Sequence, residues 1–314
     1  MYLPYIRGKK FELIGIRNLI TGKVLNSNKV SPIIEPVKNS STLGVTLREL
    51  IENNINFTVV VNPQVGQFTD TDTIFNTIKE FMSGGKNYQI GIIFNNKNKQ
   101  GHHELIALLQ KYKDYIPELT IIHNAILDGI SDILALYEEH FKVRYNVINL
   151  SATSKRYHQN FKENTRVELN DYFNAQPRNS DYLQIDESDF SEEYRYYKED
   201  GFIGFSDYLS IGEEYSEAGF LPYAVAIHLS YEDKNKKKIK IKHFVSDSND
   251  DPSDIAGKFA EALKKLIDWC KKTKYESIAI PIFKEYYETK HFPGLGTLKK
   301  LSLMNHIDLV LKLI

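Results

Sequence analysis

The feature that most constrains this chain is a recurrence. Short runs rich in β-branched and aromatic residues return about every 22 to 36 residues, each followed by a stretch with helical spacing. Eight are visible, at 31–37, 57–63, 90–95, 119–124, 144–150, 166–172, 201–208 and 224–231. Near-continuous apolar runs are what strands need when both faces of a parallel sheet are covered by helices. The spacing matches right-handed strand–helix–strand crossovers. The intervening stretches supply the apolar stripes: Leu43, Leu47, Leu50 and Ile51; Ile74, Ile78 and Phe81, ending at a Gly84-Gly85 stop; Leu105, Leu108, Leu109 and Tyr112; and Ile126, Ile130, Ile133, Leu134 and Tyr137. Residues 154–163 are polar and only weakly helical in pattern. Eight such units are the arithmetic of an α/β fold, the (β/α)8 TIM-like barrel. An open doubly wound sheet of eight strands has nearly the same pattern.

With 314 residues, no internal repeat and no low-complexity linker, the chain reads as one domain. Residues 1–30 form an N-terminal extension with a short extended piece and a helix, 31–231 the barrel, and 232–314 a β-hairpin and C-terminal helices. The crossover from 201 to 224 shows no helical period and reads as a long loop, a place where function gathers. Alternation from Lys238 onward predicts a hairpin strand, 253–273 a strong helix, and 298–313 a last one; 275–292 has no clear pattern. A single cysteine, Cys270, excludes a disulfide framework and suits a reducing, cytoplasmic setting. The expected protein has neither signal peptide nor membrane span. Forty basic against 41 acidic residues argue against a general nucleic-acid coat.

In a barrel, the C-terminal strand ends face the mouth where active sites are built. Here the runs end in Glu35, Asn62, Asn95, His123, Asn149, Asp171, Asp207 and His228. Two histidines, three carboxylates and three amides drawn to one rim have the chemistry for acid–base work or for a divalent cation. Each also has a plainer role. Glu35, inside an apolar run, is explained equally by an ion pair with Arg7 or Lys38. Asp207 suits a turn, and His123 and His228 suit hydrogen bonds to backbone carbonyls. Arg178 offers an anion fork, or a loop clamp with Asp181.

Other motifs carry less. His102-His103-Glu104 lacks the histidine spacing of a zinc hydrolase. Gly294-Leu-Gly296 is too short for a dinucleotide fingerprint, and no Walker A, nucleophile-elbow or kinase motif occurs. Cys270 lies on an apolar helix stripe and reads as a buried, inert thiol. The lysines of 234–242 are explained by a phosphate or acidic partner, or by a hairpin edge guarded against sheet pairing.

Tyr2-Leu-Pro-Tyr-Ile-Arg-Gly-Lys-Lys-Phe-Glu-Leu, followed by Ser31-Pro-Ile-Ile-Glu-Pro, resembles the opening of the phage-type Beta-protein family and its uncharacterised bacterial relatives. Gly204-Phe-Ser-Asp-Tyr208, Tyr223-Ala-Val-Ala-Ile-His228 and Asn305-His306 extend the resemblance, the last departing from a His-His pair. The resemblance implies a barrel-like α/β domain, a role in phage–host conflict and a partner protein encoded nearby. It implies no particular reaction. Two expectations follow. One is a hydrolase-like enzyme of the barrel mouth acting on a small phosphorylated or nucleotide-type substrate. There Glu35 and Asp207 serve as acid and base or as ligands of a divalent metal, assisted by His123 and His228. Arg7, Arg178, Asn62 and Tyr208 hold the substrate. The other is a non-catalytic recognition subunit that binds a nuclease or phage component.

Overall fold

The computed structural model describes all residues except Thr69, Ser83, Gly84, 96–100, Lys155 and 217–221. Gly84 of the expected helix stop and 217–221 of the long crossover therefore lie outside the described residues. The chain packs as two compact units where the sequence pattern suggests one. The first comprises Met1–Asp171, Glu193–Asp207 and Ile314; the second comprises Tyr172–Glu192 and Tyr208–Leu313.

The first unit is a parallel barrel. Its strands are β1 (Tyr5–Ile6), β2 (Ile33–Ile34), β3 (Phe57–Val60), β4 (Tyr88–Phe94), β5 (Leu119–His123), β6 (Val143–Asn149) and β7 (Arg166–Asn170). The eighth place is taken by β9 (Gly204–Asp207), because β8 (Glu187–Ser191) belongs to the second unit. The order is β1-β2-β3-β4-β5-β6-β7-β9. The N-terminal residues close it: Tyr2 bridges Val30 on one side and Phe205 on the other, and the Leu3 N–H donates to the Phe205 carbonyl at 2.9 Å. The crossovers hold α1 (Lys10–Thr21), α2 (Ser41–Glu52), α3 (Thr71–Ile78), α4 (His102–Lys111), α5 (Ile130–Glu138) and the short α6 (Glu193–Tyr196). Ser40 and Asp70 start α2 and α3 by accepting the Leu43 and Thr73 amides, which would otherwise lack partners. The polar stretch after β6 forms 3-10 turns at Tyr157–Asn160 and Glu163–Thr165.

Eight barrel strands are thus present, but their membership differs from the sequence reading at both ends. The run at 224–231 is not a barrel strand. It is part of β10 (Ala226–Asp233), which pairs antiparallel with β11 (Lys238–Val245). A hairpin closed by the short Lys-rich turn needs little loop-closure entropy, so local pairing wins over a distant parallel edge. The vacated place goes to β1, whose two residues are too few to show a period.

The second unit is built on the antiparallel order β10-β11-β8, with α7 (Ile255–Thr273), α8 (Ile280–Thr289) and α9 (Leu295–Leu313). The lysine-rich β11 is therefore the central strand, not an exposed hairpin edge. Its cations are matched by acids at β8: Lys238 with Asp189 at 2.9 Å, Lys240 with Glu187, and Lys242 with Asp186. Helix α9 is buried almost all round from Thr297 to Leu311, as its apolar residues on every side require. Cys270 lies buried on α7, and burial pushes its thiol up to about 11, which keeps it protonated.

Candidate functional site: barrel rim and second-unit cavity

Residues in register across a parallel ladder share a face, so the pairing decides which strand-end side chains reach the mouth. One face of the wall carries Thr58 and Thr120, whose hydroxyls lie 3.1 Å apart although their strands flank β4. Gly91 of β4 permits this, since a Cβ there would sit 2.8 Å from Thr58 Cγ2. This is the barrel interior. Ile33 pairs with Tyr5 and Thr58, and the Tyr5 hydroxyl donates to Glu35 Oε2 at 2.7 Å, so Tyr5, Arg7 and Glu35 share it. The other face carries Phe94 and His123, and Phe94 packs on Tyr137 of α5, so this face looks outward into the helices. The register continues that face through Ile148, Glu168 and Phe205 to Asp207.

The expected ring is divided by this alternation. Glu35 points in and is fully buried; it accepts from the Arg7 guanidinium, the Tyr5 hydroxyl and the Gln64 N–H, the last at 2.7 Å. The ion-pair role is the one the structure builds. Asp207 points out and is buried, accepting from the Tyr2 hydroxyl at 2.8 Å, while the Tyr2 ring stacks on Phe205. Burial first, then Asp207, raises the Tyr2 hydroxyl far above its usual range, so it stays a donor. His123 also points out, among Phe94, Tyr157 and Phe161, with Nε2 3.0 Å from Asn146 Oδ1. Burial lowers it to about 4, so it is a neutral core imidazole near pH 7.

The amides of the rim tie strand ends together. Asn62 exchanges hydrogen bonds with the Ile93 backbone, 2.9 Å to its carbonyl and 2.8 Å from its N–H, and so prolongs the β3–β4 ladder. Asn95 donates to Gln64 Oε1 at 2.7 Å, and Asn149 to Asn124 Oδ1 at 3.3 Å. Asp171 is half-buried at the end of β7. Tyr5, Gln64 and Asn124 were not among the expected rim residues. Strict alternation, which moves the inward position from His123 to Asn124, was the available signal. Among the described residues, no three His, Cys, Asp or Glu side chains gather as a metal site. His102, opening α4, lies 3.1 Å from the Tyr137 hydroxyl.

Three expected site residues belong to the second unit. His228 lies on β10, not on a barrel strand. Tyr208 is buried and donates to Glu213 at 3.4 Å. Arg178 is exposed; its backbone N–H, rather than its guanidinium, binds Asp181, at 3.1 Å. His228 lines a cavity of about 500 Å³, whose wall includes Phe173, Tyr182, Ser210, Ile211, Leu298 and Lys299. This is the size range of small-molecule pockets. Behind the wall, His228 Nδ1 is 2.8 Å from His243 Nδ1, and His243 Nε2 is 3.0 Å from Ser188 Oγ. Burial foremost, then His243 and Lys299, pulls His228 down to about 3. Burial pulls His243 to about 4. Two neutral imidazoles facing through Nδ1 share one proton there. The tautomer of His243 therefore decides whether His228 Nε2 is a donor or an acceptor.

In comparisons with known proteins, no family model, curated protein or solved structure matches this chain.

Proposed function

We propose that this chain is a recognition protein that takes a small molecule into the cavity of its second unit, with the barrel as scaffold. The observation that carries this reading is the cavity itself: about 500 Å³, with a wall that mixes apolar side chains with convergent polar groups, among them a histidine backed by a second. The hydrolase reading of the rim has less support, because Glu35 and Asp207 face opposite sides of the barrel wall and each is engaged by a tyrosine or arginine. A general acid and base must both reach one substrate. The lysines of β11 are likewise engaged by acids, which weakens a phosphate-backbone role. The setting implied by the family resemblance, phage–host conflict beside a partner protein, belongs to the same proposal.

The test is a thermal-shift screen of small metabolites and nucleotides against the wild type and Ala226→Phe. Ala226 lines the cavity, and a ring there takes up part of it and narrows the rest. Saturating ligand at about a hundred times Kd stabilises by about 2.7 kcal/mol. The expected result is a concentration-dependent shift in the wild type that is lost in a folded Ala226→Phe protein. A shift of equal size in both proteins would place binding elsewhere and refute the proposal.

A further inference from the structure

We propose that the second-unit cavity is an oxyanion site: it holds a small organic phosphate or carboxylate with the anionic group at the N-terminus of α9 and the apolar body against Phe173, Ile211 and Leu298. The inference rests on the binding reading above and names the class of ligand.

Three observations converge on it. The first is electrostatic. α9 runs for 19 residues, and its opening residues Leu295 and Gly296 line the cavity. The first amides of a helix have no carbonyl one turn back to bond, and they carry the positive end of its dipole. One turn on, Lys299 lines the same wall; no carboxylate among the described residues forms an ion pair with it.

The second is a buried hydroxyl with nothing to bond. Ser210 lines the cavity and is only 4% exposed, yet its Oγ has no hydrogen-bond partner among the described residues. Burying a hydroxyl unpaired is costly, and such groups in folded proteins call for an explanation. An acceptor in the cavity supplies one.

The third is backbone strain in the segment that carries it. Leu209 is buried and held at φ +56°, a left-handed conformation that a branched side chain rarely adopts. It directly precedes Ser210 and sets where that hydroxyl goes. Strain of this kind clusters at ligand clamps. His228, kept neutral by burial, His243 and Lys299, adds a hydrogen-bonding nitrogen without placing a buried cation in the wall, and Lys299, the cation that does line it, is exposed. The remaining wall mixes polar Gln176, Asn179 and Ser302 with an apolar part that includes Phe173, Ile211 and Leu298, and that part suits the body of an organic ion better than a bare inorganic one.

The experiment is isothermal titration of the full chain with phenyl phosphate, benzoate, inorganic phosphate and phenol, at low and moderate salt. The proposal expects phenyl phosphate or benzoate to bind at least tenfold more tightly than phenol, with affinity falling as salt rises. The preferred one of the two identifies the head group. Lys299→Glu should weaken the bound anion about tenfold or more, Ser210→Ala several-fold, and neither should change phenol binding. Thermal melts of both variants check that they are folded. If phenol matches the two anions and Lys299→Glu alters none of them, the oxyanion assignment is wrong while the cavity still binds small molecules. If no probe binds at millimolar concentration, both this inference and the binding reading fail. Binding of inorganic phosphate alone, unaffected by Ser210→Ala, would be an adventitious ion only and would also overturn it.

Discussion

Replacing Glu35 by Gln tests whether the barrel-rim acid is a structural tie or a reacting group. The side chain is fully buried, Arg7 is 12% exposed, and the carboxylate accepts three donors: the Arg7 guanidinium, the Tyr5 hydroxyl and the Gln64 N–H. Two donors share Oε2 and the third uses Oε1. Glutamine has the same shape but only one acceptor oxygen, so its NH2 must face a donor at one of the two places. The substitution also leaves a mostly buried guanidinium without its counter-charge. Breaking a buried pair from one side costs about 3–5 kcal/mol, and the residual exposure of Arg7 puts the expectation near the lower end, about 3 kcal/mol. At roughly 2–4 °C per kcal/mol for a domain of this size class, the melting midpoint should fall by about 6–12 °C. Urea and thermal melts of Glu35→Gln, Arg7→Met and the double variant measure this. The double variant should lose less than the sum of the two singles, since the second change removes the stranded partner. A midpoint for Glu35→Gln that stays level or rises would refute the reasoning, because removing a strained functional group is what relaxes a fold.

Gly91→Ala should destabilise by about 1–3 kcal/mol through overpacking against Thr58 and Val60, read as a lower urea midpoint; an unchanged midpoint would show slack in the barrel interior. Tyr2→Phe should cost about 1–3 kcal/mol by leaving Asp207 short of a buried donor, while Tyr197→Phe, away from that carboxylate, should cost less. Acid should weaken the fold through His123. Its imidazole titrates at about 4 when folded against 6.5 when free, so between those values the unfolded chain binds more protons and stability falls as pH drops. At pH 5 this one group accounts for about 2 kcal/mol, at 1.36 kcal/mol per unit. His123→Gln should flatten the loss between pH 7 and pH 5; an equal loss in both proteins would assign acid sensitivity elsewhere.

Much of the architecture was legible because burial on two faces writes itself into sequence. Seven of the barrel strands and the stripes of α2 to α5 follow from runs and periods in the sequence, though an open eight-stranded sheet would have shared them. The need of Glu35 for a partner was legible too, since a carboxylate inside an apolar run must find a charge or a task, but the sequence offered both Arg7 and Lys38 and the structure chose Arg7. The side-chain ring was only half legible. Reading each strand by its last polar residue ignored that successive residues face opposite ways, and this sent His123 and Asp207 to the mouth when the pleat sends them out.

What the sequence alone determined is therefore the class of fold and the need of certain buried polar groups for partners, because both follow from local pattern and desolvation. Tertiary structure alone decided three things. It chose Tyr5–Ile6 over 224–231 for the last barrel position and made the lysine strand central. It also gathered Ser210, His228 and the start of α9 around one cavity. Each depends on which distant segments pair. Pairing is settled by the competition between local hairpin closure and long-range parallel contacts, a balance no single stretch of sequence records.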